Sequence, residues 1–192
     1  RGELDLVGAM NNNKQTSSVF DFPSENYGNA YSVIAVRDDD DRIDEYNLSD
    51  FKGLRIALLK QADYHNEKFY QYAKLNGIQY EIVWCERDGE QEERVYSGKA
   101  DALLSVDVSL SPGFRPVAKF SPTPFYFATT KGNTKIINEL NRAISYISEN
   151  NPTLQMNLYN KYFSRSGSQM HLNSKEREYI QEHPVLKVLV HD

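Results

Sequence analysis

Few residues of this chain have types and spacings that could do chemistry. Its four histidines, His65, His171, His183 and His191, are scattered and form no metal-ligand set. The one cysteine, Cys85, follows Trp84 without a CxxC or Cys/His partner and reads as a small buried hydrophobe. Asp21 with Glu25, and Glu90 with Glu92 and Glu93, are carboxylates with no convergent partner. No nucleophile triad, phosphate loop or paired-acid arrangement is present. Asp38-Asp-Asp-Asp41 lacks the alternate carboxylates and sixth-position glycine of an EF-hand loop, so Arg37 to Glu45 reads as a solvated turn. What remains is hydrogen-bonding chemistry. Ala102, Leu103 and Leu104 form a continuous apolar run, as in a strand buried on both faces, which places Ser105 and Asp107 at a strand's carboxyl end. Open α/β sheets bind ligands there. These residues suit binding rather than turnover: no catalytic residue, metal or cofactor is expected, and the chain is not expected to be an enzyme.

The elements that would position these groups can be read from the pattern. Leu54-Arg-Ile-Ala-Leu-Leu59, Tyr80-Glu-Ile-Val-Trp84 and Ala102 to Ser105 read as strands. Between the first two, His65, Phe69, Tyr72 and Ala73 fall on one helical face, closed by Asn76-Gly77. A polar helix at 88–96 separates the last two, and Gly98 stops it. Alternating strands and helices predict a parallel sheet with crossovers, one compact α/β lobe over 38–118. Before it come a strand in Glu3 to Ala9, a polar segment 11–18, Val19-Phe-Asp-Phe-Pro23 and a strong strand Tyr31 to Val36. Leu48 to Gly53 reads as a short helix. After the lobe, Pro122 and Pro124 argue that an aromatic strand starts only beyond Pro124, with one face of Phe125, Tyr126 and Phe127 in the core. A helix follows with Thr134 near its N-cap and Ile136, Ile137, Leu140, Ala143, Ile144 and Ile147 on its apolar face. A shorter helix spans 155–163, 164–168 is a Ser/Gly linker, and 173–182 is a helix with capping-box spacing before a final strand 185–190.

Composition narrows the function classes. With 192 residues, 26% charged and 40% hydrophobic, the chain can bury a core. A formal charge of −5 without a basic stripe argues against nucleic acid. No apolar run reaches the ~20 residues of a membrane helix. The chain opens at Arg1 directly into a strand, and its last strand looks like the start of a further unit, so a fragment of a longer protein is expected.

In order and spacing, Gly2-Glu-Leu-Asp-Leu-Val-Gly8, Phe20-Asp-Phe-Pro23, Tyr31 to Val36, Leu48 to Leu58, Gly98-Lys-Ala-Asp-Ala-Leu-Leu104, Pro124 to Asn133 and Glu139-Leu-Asn-Arg-Ala-Ile144 resemble the extracytoplasmic solute-binding family 3. The resemblance covers about residues 2 to 163. It is closest to the sensor domains of membrane-bound histidine kinases and diguanylate cyclases. It implies an α/β, two-lobed periplasmic-binding-protein-like fold of type 2, a Venus flytrap, with its first lobe incomplete at the N-terminus. On it, 1–37 plus 119–163 are the partial first lobe, 38–118 the second lobe, and 164–192 a linker and the start of a second flytrap-like unit. The chain crosses between lobes near Tyr31 and Phe125. The missing first strand of lobe 1 would be supplied by Leu186 to Val190, from the same chain or a neighbour.

The resemblance also implies the site. Three loops face the cleft: Met10, Asn11, Asn12 and Gln15 after the first strand; Gln61, Asp63 and Tyr64 after the strand 54–59; and Ser105 to Ser109, with Ser105 and Asp107, after the strand 102–104. Amino-acid binders of the family carry an arginine in the first loop, where this chain has Gln15 or Thr16 and only Lys14 as a nearby cation. The family's aspartate for the α-amino group matches Asp107, one residue late. Asp101 matches a family position with a structural role at the strand entrance. A small polar solute is expected, with amino acids and small carboxylates among the classes, an adjacent flytrap domain as partner, no nucleic acid, and the membrane reached only through segments outside this chain. The implied role is an extracytoplasmic sensor acting by ligand-driven lobe closure; the alternative is the binding component of an ABC uptake system.

Overall fold

The computed structural model describes residues 4–45, 47–163 and 174–183. Seven strands form one sheet in the order β1-β7-β3-β6-β4-β5, with β2 also on β7. They are β1 (Val7–Met10), β2 (Phe20–Asp21), β3 (Gly28–Arg37), β4 (Leu54–Leu59), β5 (Tyr80–Cys85), β6 (Ala102–Val106) and β7 (Phe114–Thr130). The helices are α1 (Asp63–Leu75), α2 (Glu90–Tyr96), α3 (Thr134–Asn150), α4 (Leu154–Tyr162) and α5 (Ser174–Glu182). β4 is parallel to β5 and to β6, whereas β3 runs antiparallel to β6 and β7.

Side-chain alternation along these strands builds two cores. Ile34, Ile56, Leu58 and Leu104 point to one face, where Phe69 and Ala73 of α1 meet them. Ala35, Ala57 and Leu103 point to the other, against Val95 of α2 and Cys85. Thus α1 and α2 cover opposite faces. The core also draws in Ile34 to Val36 and Phe120, beyond the 38–118 block. Cys85 is fully buried, and burial pushes its thiol pKa up.

Two local readings change. The strand expected only after Pro124 is continuous from Phe114 through Pro116, Pro122 and Pro124. Over 114–125 the strand pairs only with β3, since β1 joins at Tyr126 and β2 at Thr129, so the prolines lie on an edge stretch. The turn 37–45 is not wholly solvated: Asp40 and Ile43 are buried. The buried Arg115 guanidinium donates to the carbonyl oxygens of both, at 2.6 and 2.7 Å, and Asp40 also pairs with Arg42. The short helix expected at Leu48 to Gly53 is a 3-10 helix over Leu48–Phe51, with Gly53 at φ +76° after it.

Along β3 and β7 the register slips twice. Tyr31 faces Pro122 while Ser32 faces Phe120, so Ser121 is an extra residue, a bulge with φ +47°. On the Pro122 side, Phe125 and Phe127 hold Tyr27 between them, with ring centroids 4.8 and 4.0 Å away. The Tyr27 hydroxyl accepts from the Ala9 amide at 2.7 Å, tying β1 to this cluster. Phe22 packs on Tyr126. The expected apolar face of α3 is only partly covered: Ile144 is buried, while Ala143 and Ile147 are exposed. Its N-cap is Asn133, one residue before Thr134, and accepts from the Ile136 amide. The linker 164–168, the capping residue Asn173 and the strand 185–190 lie outside the described residues.

Candidate functional site

The chain leaves β4 through α1 to reach β5, then returns through α2 past β4 to reach β6. The two crossovers cover opposite faces, so the carboxyl ends of β4 and β6 border the crevice where the sheet's winding reverses. A pocket of about 140 Å³ opens there, lined by Leu59, His65, Asn66, Gln91, Ser105 and Ser109 among others. That is below the usual ~300–1,000 Å³ of a small-molecule site.

Each polar wall has a local cause. Gln91 at the start of α2 donates to the carbonyl oxygens of Ala57 and Leu104, both at 2.8 Å, bridging β4 and β6 beneath the pocket. Asn66 donates to the Leu59 carbonyl at 2.9 Å, which fixes its amide, and its Oδ1 is buried with no partner. His65 Nδ1 lies 3.3 Å from Ser32 Oγ, and burial lowers its pKa below the ordinary histidine value, so the ring is neutral at pH 7. No side chain caps the first turn of α1.

Asp107, opening the 3-10 turn after β6, is engaged internally. Its side chain is 4% exposed. Oδ1 accepts from the Tyr31 amide at 2.9 Å, and Oδ2 from the Tyr159 hydroxyl at 2.9 Å. The Lys119 ammonium lies 2.8 Å from Oδ2 and 3.1 Å from the Tyr159 hydroxyl. It also stands over the rings of Tyr31 and Tyr159, 4.1 and 4.5 Å from their centroids. Burial alone would lower the Lys119 pKa, but its bonds to Asp107 and Tyr159 outweigh that and hold it above the usual lysine value. Burial, with help from Asp107, pushes the Tyr159 hydroxyl up.

The other expected site residues divide. Ser105 lines the pocket. Gln61, Asp63 and Tyr64 are exposed at the entry to α1, and the Tyr64 hydroxyl reaches Thr123 Oγ1 of β7 at 3.4 Å. Met10 pairs with Tyr126 of β7, three residues from Thr123 in sequence. Asn11, Asn12 and Gln15 are exposed on a turn held by its own groups: Asn13 Oδ1 accepts from the amides of Gln15 and Thr16, and Thr16 donates to the Asn11 carbonyl. These bonds stay within the turn and do not join it to the pocket. Of the carboxylates read as lacking a convergent partner, Asp21 accepts from the Gly132 amide and pairs with Lys131, Glu90 pairs with Arg94, Glu92 accepts from the Ser111 hydroxyl and Glu93 pairs with Arg87. Asp101 receives Arg55 in two hydrogen bonds of 2.9 Å at the strand entrance, the structural role expected of it. The sequence reading did not take His65, Asn66, Gln91, Lys119 or Tyr159 as site residues. Only Lys119 left a signal, a lone charge inside the apolar run Val117-Ala-Lys-Phe120. Among the described residues no His/Cys/Asp/Glu cluster could hold a metal, and no helix is long and apolar enough to cross a membrane.

This mixed α/β sheet with a crevice at its switch point has the fold of two-lobed periplasmic binding protein domains. No protein-family model matches the chain. It superposes on a Streptococcus pneumoniae domain assigned as the second substrate binding domain of an amino acid ABC transporter, with TM-score 0.67, 18% identity, and coverage of 84% of this chain and 74% of that one. Substrate binding domain 2 of Lactococcus lactis GlnP in its open conformation gives TM-score 0.64 at 21% identity, covering 85% and 71%. In sequence the chain is similar to the virulence sensor protein BvgS of Bordetella pertussis, 26% identical over 157 residues, 77% of this chain. The chain spans 12% of that curated relative's length.

Proposed function

We propose that this chain is an extracytoplasmic solute-sensing domain of a bacterial membrane signalling protein, working by closure of two lobes on a small polar solute. The observation that carries this reading is the bulge at Ser121, opposite Tyr31/Ser32. Two long strands pass there between the part packed by α1 and α2 and the part holding β1, β2 and Tyr27, and their pairing changes register at that level. Bulged crossing strands can absorb a rotation that a regular ladder would resist. The lobes then divide near 31/32 and 120/122, with the pocket at the sheet's switch point as one half of the cleft. The exposed turn with Met10, Asn11, Asn12 and Gln15 and the entry to α1 with Gln61, Asp63 and Tyr64 form its rims. Solute binding to the closed state shifts the open–closed equilibrium by its differential affinity. The similarity to a sensor protein supports the signalling role. The likeness in fold to transporter binding domains favours a second reading, the binding component of an ABC uptake system.

A thermal-shift screen of small carboxylates, hydroxylated solutes, amides and amines tests the binding claim. A solute at 100 times its Kd should add about 2.7 kcal/mol of stability. Small-angle scattering with the same solute should show a smaller radius of gyration. Stabilisation at unchanged radius would remove lobe closure. An unchanged kinase or cyclase output of the intact membrane protein when the solute is added would favour uptake over sensing.

A further inference from the structure

The ammonium-binding chemistry of this molecule is complete and already filled. A nearly buried carboxylate, a tyrosine hydroxyl and two aromatic faces are what a protein assembles to hold an alkylammonium ion. Asp107, Tyr159 and the rings of Tyr31 and Tyr159 supply all of these, and the guest is the side chain of Lys119. The Tyr31 amide, the Tyr159 hydroxyl and Lys119 already engage both oxygens of Asp107. Yet Asp107 sits between Val106 and Ser109, which do line the pocket. Among the described lining residues none is a carboxylate, and the one titratable ring, His65, is neutral at pH 7. The polar group left wanting is Asn66 Oδ1, nine-tenths buried and without a donor.

We propose that Lys119 is a specificity-determining residue, a tethered ammonium that occupies Asp107 and closes the pocket to solutes recognised through a free ammonium. The solute it leaves is a small hydroxylated or amide-bearing molecule whose O–H or N–H satisfies Asn66. This deepens the solute-binding reading and rests on it for the solute, but the tethered-ammonium claim has its own test.

Truncation of Lys119 to alanine removes a fragment equivalent to propylammonium, on a side chain that is 28% exposed and so open to solvent. Lys119→Ala should lower the melting temperature, and propylammonium chloride should restore at least half the loss, whereas equal sodium chloride should not. Asp107→Asn/Lys119→Ala should show no such rescue. On the unaltered protein, matched pairs that differ only in the ammonium separate the classes: L-serine against glycerate, L-aspartate against malate, L-alanine against lactate. The amino members should give no shift, and any shift should come from a hydroxy member and be lost in Asn66→Ala. An amino acid that stabilises the unaltered protein but not Asp107→Asn would overturn the proposal, and so would a Lys119→Ala protein indifferent to propylammonium. Should the alanine variant not fold, the ζ-ammonium nitrogen resonance of Lys119 decides. Slow proton exchange, unchanged by saturating amino acids, supports the tether, and fast exchange overturns it. Rescue by propylammonium with no solute shift of any class would sink the solute-binding reading while leaving the tether standing.

Discussion

His65 carries a pH signature. Burial lowers its pKa below the 6.5 of an exposed histidine, so the unfolded ring takes up a proton before the folded one does. Stability from this group is therefore complete above about pH 6.5 and declines as pH falls through the window down to the lowered value. Denaturant midpoints measured from pH 8 to pH 5 should show that decline, and His65→Phe should flatten it. Arg115 gives a larger effect. Its guanidinium serves the carbonyl oxygens of Asp40 and Ile43 in a buried setting, so Arg115→Met leaves both without that donor. Unsatisfied buried groups cost about 1–3 kcal/mol each, so urea titration should find a loss of about 2–6 kcal/mol. Neither role was legible in sequence. The charge run around Asp40 looks like solvated surface until an arginine far along the chain reaches it. The site shows the same limit. Ser105 and Asp107 were marked by the apolar run before them, but the groups that engage Asp107 come from β3, β7 and α4, which only folding brings together.

At the level of elements, periodicity served well where both faces of a strand are covered. The reading placed β4 at 54–59, and Leu54–Leu59 is the strand observed. α1 and β5 follow the expected pattern closely, with glycines in left-handed conformation at 77 and 98 closing the helices. It failed where neighbours decide. Prolines in β7 are tolerated because only one flank of that stretch is paired, which no local rule reveals. The apolar face of α3 was correctly located, yet the pattern does not say what covers it. Two variants expose the difference. Ile144→Ala should cost about 2 kcal/mol or more by thermal denaturation, whereas Ile147→Ala, at a position 41% exposed, should stay within about 0.5 kcal/mol. Gly28 is constrained by the aromatic cluster: a Cβ there would lie 2.4 Å from the Phe125 ring. Gly28→Ala should cost about 1–3 kcal/mol. Paired with Phe125→Ala it should cost much less than the sum of the single changes, a coupling that a double-mutant cycle would measure.

For the whole molecule, the two-lobed class was legible because several weak motifs fell in order, and each has a physical reason to be there. A glycine stops a helix, an aspartate anchors a strand entrance, and an aromatic strand leads to a capped helix. The bulge at Ser121, where we propose that the lobes divide, was not legible, since it depends on which residues of β3 and β7 face one another. One feature of the interior bears on how the proposed closure could be watched. The single thiol of the chain, Cys85, is sealed at the end of β5 and raised in pKa, so it resists electrophiles that attack thiolates. Dye pairs attached through two introduced surface cysteines would report distance across the cleft without a background label, and the native sequence needs no prior removal of its own sulfhydryl.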